Sequence, residues 1–181
     1  MTSIKIENII ANTQIADALD VLLISEKIPD SNYNPSEFEG VSIKYDLPKT
    51  AVIILSNGKI VCTGAKSIEE VESTIKQTVK KIKDIGFELK KDYEIKTENV
   101  IVSTDFKMEM HLASIANALL LQHPEYYPEL FPGLIYKIDD LCAVLILFSS
   151  GKLVCTGAKS IDDATSAVNI MEEKLESIGV L

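Results

Sequence analysis

Arginine is absent from this chain of 181 residues, and so is tryptophan. All 18 basic residues are lysines, set against 27 acids, and the formal net charge is −9. Without arginine there is no arginine finger, no bidentate clamp on guanine and no arginine-rich nucleic-acid arm. Cysteine is scarce: three thiols cannot all pair, and a disulfide framework is not expected. No secretory pattern opens the chain, so a cytoplasmic location is expected. No apolar run reaches the length of a membrane span, so no membrane partner is expected. The two histidines, His111 and His123, stand in no metal-ligand spacing with a cysteine. No nucleophile–base set appears either. The expectation is no enzyme, no cofactor and no metal.

What is present is a globular balance, 46% hydrophobic and 25% charged, which excludes a disordered chain. The length suits one ordinary domain or two small ones. An internal repeat decides between them. Residues 57–68 read NGKIVCTGAKSI and residues 150–161 read SGKLVCTGAKSI. Upstream, YNPSEFEGVSIKYD (33–46) matches YYPELFPGLIYKID (126–139) at the same spacing. IENIIANT (6–13) matches TENVIVST (97–104). The chain is a duplication, with one repeat over 1–91 and the other over 92–181. Charge is divided unevenly: 11 lysines face 13 acids in residues 1–90, and 7 face 14 in residues 91–181.

Within a repeat the elements are readable. Ile4 to Thr13 alternates like a strand. Asp20 to Ile28 and Leu112 to Gln122 are apolar enough for helices, and Pro35–Gly40 and Pro128–Gly133 read as loops. Three strands follow, near 41–45, 51–55 and 59–65, with Asn57-Gly58 and Ser150-Gly151 as hairpin turns. Ser67 and Glu70 form a capping box for a long helix with Ile68, Val71, Ile75, Val79 and Ile82 on one face, stopped by Gly86. Ser160, Asp163 and Gly179 repeat those signals. The fold class is α+β, an antiparallel sheet with helices on one face.

The strands carry an anomaly. A sheet covered on one side should alternate apolar and polar. Ala51 to Leu55 and Ala143 to Phe148 are apolar throughout. The face away from the helices must meet something: a partner chain, a ligand, or a second core layer. Alternation puts Val61 and Thr63 on one side of their strand, with Cys62 and Gly64 on the other. Val154 and Thr156 match them. Asn8 with Ile10, Asn99 with Ile101, Ile53 with Leu55, and Ile146 with Phe148 continue the open face. Cys62 and Cys155 read as small buried hydrophobes.

On the paired repeat, the ENI and ENV starts, YNPSEF and YPELFPGLIYK, and SNGKIVCTGAKS with SSGKLVCTGAKS, the sequence resembles the TATA-box-binding protein family in its short archaeal form, over about 4–179. The resemblance implies a pseudo-twofold saddle, its curved antiparallel sheet lying on the DNA minor groove and its helices on the convex side. It implies a transcription initiation factor that binds and bends A/T-rich promoter DNA, recruits transcription factor B and, through it, RNA polymerase. An apolar face with two asparagines and two threonines suits a groove that offers acceptors at A·T pairs and an obstructing amino group at G·C. The resemblance implies wedges at Phe131 and Phe148 in the second repeat and at Phe38 in the first, with Leu55 where a second phenylalanine usually lies. Lys44 with Lys137, Lys59 with Lys152, and Lys49 fit phosphate contacts at the rim. Cys142 stands at the counterpart of Lys49, and Glu37 where the family tends to have a basic or neutral residue. The resemblance also implies a nucleoid-associated location and a partner-binding loop at Glu125 to Phe131, with Tyr127, Glu129 and Leu130 as its contacts. Tyr127 replaces an acidic residue common there. Without DNA, two copies are expected to cover each other's faces. The rival reading is a diverged paralogue with weak or no DNA binding, acting in protein interaction or self-association.

Overall fold

The protein, seen in a computed structural model, is described over residues 3–181. Nine strands and four α-helices occur among the described residues. The first half runs β1 (Lys5–Gln14), α1 (Val21–Lys27), β2 (Ser31–Tyr33), β3 (Gly40–Asp46), β4 (Lys49–Leu55), β5 (Lys59–Ala65) and α2 (Ile68–Asp84). The second runs β6 (Lys96–Asp105), α3 (Leu112–Ala118), β7 (Gly133–Ile138), β8 (Ala143–Phe148), β9 (Lys152–Ala158) and α4 (Ile161–Ser177). The chain divides into two compact units. One is Asn8–Glu98; the other joins the segment ending at Glu7 to Asn99–Leu181.

In the first unit the strands lie in the order β2-β3-β4-β5-β1, and in the second β7-β8-β9-β6, with antiparallel pairing. Helix α2 packs over β4 and β5, and α4 over β8 and β9. Both long helices start at a serine whose hydroxyl accepts an N–H three residues on: Glu70 to Ser67 at 3.2 Å and Asp163 to Ser160 at 3.0 Å. The Glu70 carboxylate reaches past the cap to the Lys66 N–H at 2.7 Å. That satisfies a further helix-end donor. At the other end Gly86, at φ 101°, takes the left-handed turn that closes α2.

The packed layer between helix and sheet in the first unit is mostly apolar, with Val52, Ile54 and Ile60 buried on the sheet side and Val71, Ile75 and Ile82 on the helix side. Cys62 belongs to it, and Cys155 to the buried core of the second unit. Burial pushes both thiols up to about 11, so they are neutral hydrophobes. Strand parity in β4 and β8 is as expected: Val52 and Ile54 are buried, while Ala51, Ile53 and Leu55 stay half-exposed. The acid excess expected on the helices is found on α4, where Asp162, Asp163, Glu172, Glu173 and Glu176 face only Lys174, but not on α2, where Glu69, Glu70, Glu72 and Asp84 are balanced by Lys76, Lys80, Lys81 and Lys83.

Four further expectations need correction. The apolar stretch to Gln122 is not one helix. α3 ends at Ala118 and a 3-10 turn covers Leu120–Gln122, closed by His123 at φ 54° before Pro124. A residue preceding proline is held out of the helical region. Strand β2 was not expected; its three residues are too few for a period. Ile68 is 38% exposed and does not belong to the buried face of α2, whereas Thr74 and Thr78 are fully buried there. The Thr74 hydroxyl donates back to Glu70 O and the Thr78 hydroxyl to Thr74 O, which lets threonine sit inside. Finally, Gly64 does not continue the alternation of β5. Ile9 pairs with Ala65 and Ala11 with Cys62, so Thr63 and Gly64 together oppose Ile10 in a bulge. β9 repeats this at Thr156 and Gly157.

Candidate nucleic-acid interface

The bulges fix the polar centre of each open face. Gly64 sits at φ 92° and Gly157 at φ 93°, a conformation that favours glycine. The turn aims each glycine N–H at an asparagine on the neighbouring strand: Gly64 to Asn8 Oδ1 and Gly157 to Asn99 Oδ1, both at 2.7 Å. With the carbonyl oxygen so engaged, the amide has one orientation. Asn8 Nδ2 donates to Thr63 Oγ1 and Asn99 Nδ2 to Thr156 Oγ1, each at 3.2 Å. An amide nitrogen carries two hydrogens, so each asparagine retains one N–H beside a threonine hydroxyl. Chemically, each unit offers a fixed donor in an apolar field. The sequence put both asparagines on the open face of their strands, where they lie half-exposed, but could not see the glycine that orients them.

Around this centre, strand register lays the other predicted residues in rows. In the first unit Ile53 pairs with Val61, Ala51 with Thr63, and Gly40 with Leu55. In the second Ile146 pairs with Val154, Val144 with Thr156, and Gly133 with Phe148. Ile10 and Ile101 complete the strip opposite the bulges, half-exposed like the rest. Sequence reasoning missed Ala51 and Val144, which parity alone would have added. It also missed Ser42 and Ile135, paired to Ile53 and Ile146 on the same face.

The wedge candidates stand at one end of each strip. Phe38 is 46% exposed and Phe131 38%. Phe131 meets Phe148 edge-on, with ring centroids 6.1 Å apart and planes at 62°. Gly40 and Gly133 make room for them. A Cβ on Gly133 would lie 2.7 Å from Phe131 and 3.4 Å from Phe148; one on Gly40 would lie 2.4 Å from Phe38 and 3.2 Å from Leu55. Each loop is held by a turn of the same form: Phe38 N–H donates to Asn34 O and Phe131 N–H to Tyr127 O, both at 3.0 Å.

The rim lysines are unequal. Lys44 and Lys49 flank a shallow, mostly apolar hollow walled by Tyr45, Asp46, Thr50, Ala51, Thr63 and Gly64. In the second unit Cys142, exposed and at φ 51°, stands in place of Lys49. Lys137 is bonded to Glu125 at 2.6 Å, and that carboxylate holds its ammonium above the usual lysine range. Lys59 is half-exposed and Lys152 exposed at the strand starts. The loop leading to Phe131 presents Tyr127 (59% exposed), Glu129 and Leu130 (81% exposed). Among the described residues no cluster of three or more metal-ligating side chains occurs, and no helix is long and apolar enough to cross a membrane.

Taken by class, this is a tandem α+β protein with one uncovered sheet face in each unit. The sequence model of the family described as transcription factor TFIID, or TATA-binding protein, matches residues 3–85 and again 94–178. The TATA-box-binding protein of Archaeoglobus fulgidus is 42% identical over 178 residues, spanning 98% of this chain and 97% of that one. TATA-box-binding protein 2 of Methanosarcina mazei is 38% identical over 180 residues, 99% of this chain and 98% of its own. The solved structure of Methanococcus jannaschii TBP matches with a TM-score of 0.86 at 38% identity, covering 97% of this chain and 99% of that chain. The chain belongs to the TATA-binding protein family, and its fold is the α+β fold of that family. This is a family of transcription factors, not of enzymes.

Proposed function

We propose that this protein is a general transcription initiation factor. It binds A/T-rich promoter DNA through the minor groove, bends it, and recruits transcription factor B and, through it, RNA polymerase. The carrying observation is the donor that each unit holds within an apolar strip. Adenine N3 and thymine O2 accept such a hydrogen bond, while the guanine amino group obstructs it. Asn8, Ile10, Ile53, Leu55, Val61 and Thr63 form one half of the reading surface. Asn99, Ile101, Ile146, Val154 and Thr156 form the other, with one half from each repeat, 1–91 and 92–181. Phe38, Leu55, Phe131 and Phe148 insert at base steps, and Lys44, Lys49, Lys59, Lys137 and Lys152 meet phosphates. Tyr127, Glu129 and Leu130 form the docking loop for transcription factor B. The open faces favour a second copy in the absence of DNA, because exposed apolar surface costs about 25 cal/mol per Å².

Gel shifts on matched A/T-rich and G/C-rich duplexes, with and without transcription factor B, test the reading. An A/T preference that strengthens with transcription factor B is expected; equal binding to both duplexes overturns it. Each phosphate contact adds about −0.9 to the log–log salt slope, and with roughly four to six contacts the slope stays shallow. A slope steeper than about −8 refutes this placement of the charges. Sedimentation of the free protein over a wide concentration range tests the self-pairing, which a strict monomer at high concentration refutes.

A further inference from the structure

We infer that Glu125 is an internal rival of DNA phosphate: it occupies Lys137 in the free protein, so the second repeat, which already has Cys142 in place of Lys49, meets the DNA backbone with Lys152 alone, against Lys44, Lys49 and Lys59 in the first. The inference rests on the minor-groove reading above and deepens it.

The geometry is specific to one repeat. Glu125 is tied to Ile135 by two backbone hydrogen bonds, Glu125 N–H to Ile135 O at 2.8 Å and Ile135 N–H to Glu125 O at 2.9 Å. Ile135 and Lys137 are two apart on β7 and share the open face with Ile146 and Val144. Diagonal neighbours across an antiparallel pair lie within reach of long side chains. The Glu125 carboxylate therefore starts from an anchored backbone and bonds the ammonium at 2.6 Å. In the first repeat the same bridge is made by Asn32 opposite Ser42, with Lys44 two residues on. Asn32 carries no charge, so the residue at the place of Glu125 is neutral in the first repeat and a carboxylate in the second. The settings of Lys44 and Lys137 thus differ at the residue bridged to their strand two places before the lysine. A phosphate oxygen approaching Lys137 has to displace Glu125 or leave the lysine neutralised, and a neutralised lysine releases no counterion.

The pair is half-exposed, so its grip is modest. Glu125→Asn, which copies the first repeat, is expected to tighten binding to an A/T-rich duplex about two- to fivefold. It is also expected to steepen the salt slope by up to about 0.9. In the unaltered protein Lys137→Ala should cost less affinity than Lys44→Ala. In the Glu125→Asn background the two should become equal. Glu125→Gln serves as the second variant, and far-UV circular dichroism confirms that each one folds. Glu129→Gln controls for the loss of any negative charge near DNA. The inference is overturned if Glu125→Asn and Glu125→Gln leave affinity and slope unchanged. It is also overturned if they tighten binding equally with and without Lys137, which would be bulk charge alone. An unaltered protein that binds no duplex defeats the minor-groove reading itself, and this inference with it.

Discussion

The two units hold their long helices by different chemistry on the same frame. Under α2, Tyr45 Oη meets Thr78 Oγ1 at 2.8 Å and Thr50 Oγ1 meets Thr74 Oγ1 at 2.9 Å. Shifted by the repeat spacing, these positions are Ile138, Met171, Ala143 and Ala167 under α4. Four buried hydroxyls in one unit correspond to four apolar side chains in the other. The asparagine, threonine and glycine of the bulge are the same in both. A helix-to-sheet gap can be filled in two ways, provided volume is matched and every buried polar group finds a partner. A left-handed bulge that orients an amide has one economical solution, glycine beside asparagine. Where the two copies agree, geometry dictates the residue. Where they differ, only volume and hydrogen-bond satisfaction are constrained.

The sharpest way to break this comparison is at the bulge. Replacing either glycine by alanine forces a side chain into the left-handed region, at about 1–3 kcal/mol. The surroundings then separate the units. A Cβ on Gly157 would lie 2.4 Å from the Cys142 carbonyl oxygen, whereas one on Gly64 would lie 3.0 Å from that of Lys49. Both obstacles are backbone, but only the first requires a large shift. Gly157→Ala should destabilise by about 3 kcal/mol or more and Gly64→Ala by about 1–2, read from denaturant midpoints. Equal losses would show that the second bulge relaxes as freely as the first.

The hydroxyl pairs give the next effect. Thr78→Val leaves the Tyr45 hydroxyl, buried with its residue 8% exposed, without its partner. The expected cost is about 1–3 kcal/mol. Tyr45→Phe together with Thr78→Val removes both polar groups and should recover most of it, since an apolar pair of matching shape is nearly neutral. The double variant turns this corner of the first unit into a copy of the second. If it is less stable than Thr78→Val alone, the hydroxyl pair contributes more than the satisfaction of its own burial.

Much of this was legible in the residues. Repeats, caps and alternation placed both long helices, the four longer strands of the first repeat within a residue or two, and the open face. What stayed hidden was set by neighbours distant in sequence. Thr74 and Thr78 look like surface positions on α2, because nothing local reveals the hydroxyls of Thr50 and Tyr45 across the gap. Gly64 fits an alternating strand until its register against β1 slips by one residue. The Lys137–Glu125 pair needs the bridge to Ile135, which no periodicity announces. Gly40 and Gly133 read as loop ends, yet they are the floor on which the phenyl rings rest.

The wedges carry the smallest effect and bear most directly on function. Phe131 and Phe148 form an edge-on pair, while Phe38 stands over Gly40 beside Leu55. Inserting at a base step costs a few kcal/mol of unstacking, offset in part by contact with the inserted side chain. A phenyl ring recovers more of that than an isobutyl group does. A sharper kink is therefore expected under residues 126–148 than under residues 33–55. Phe148→Leu should weaken DNA binding by about 1 kcal/mol or more and reduce the bend, given the stacking contribution of one aromatic side chain per base. Leu55→Phe should tighten binding and increase the bend, because it gives the first unit the pairing that the second already has. Energy transfer between labelled duplex ends reads the bend, and affinity at fixed salt reads the binding. If Leu55→Phe changes neither while Phe148→Leu abolishes both, the first unit does not wedge at all. If neither substitution moves either reading, the phenylalanines are not inserted into DNA, and the open faces serve a different contact.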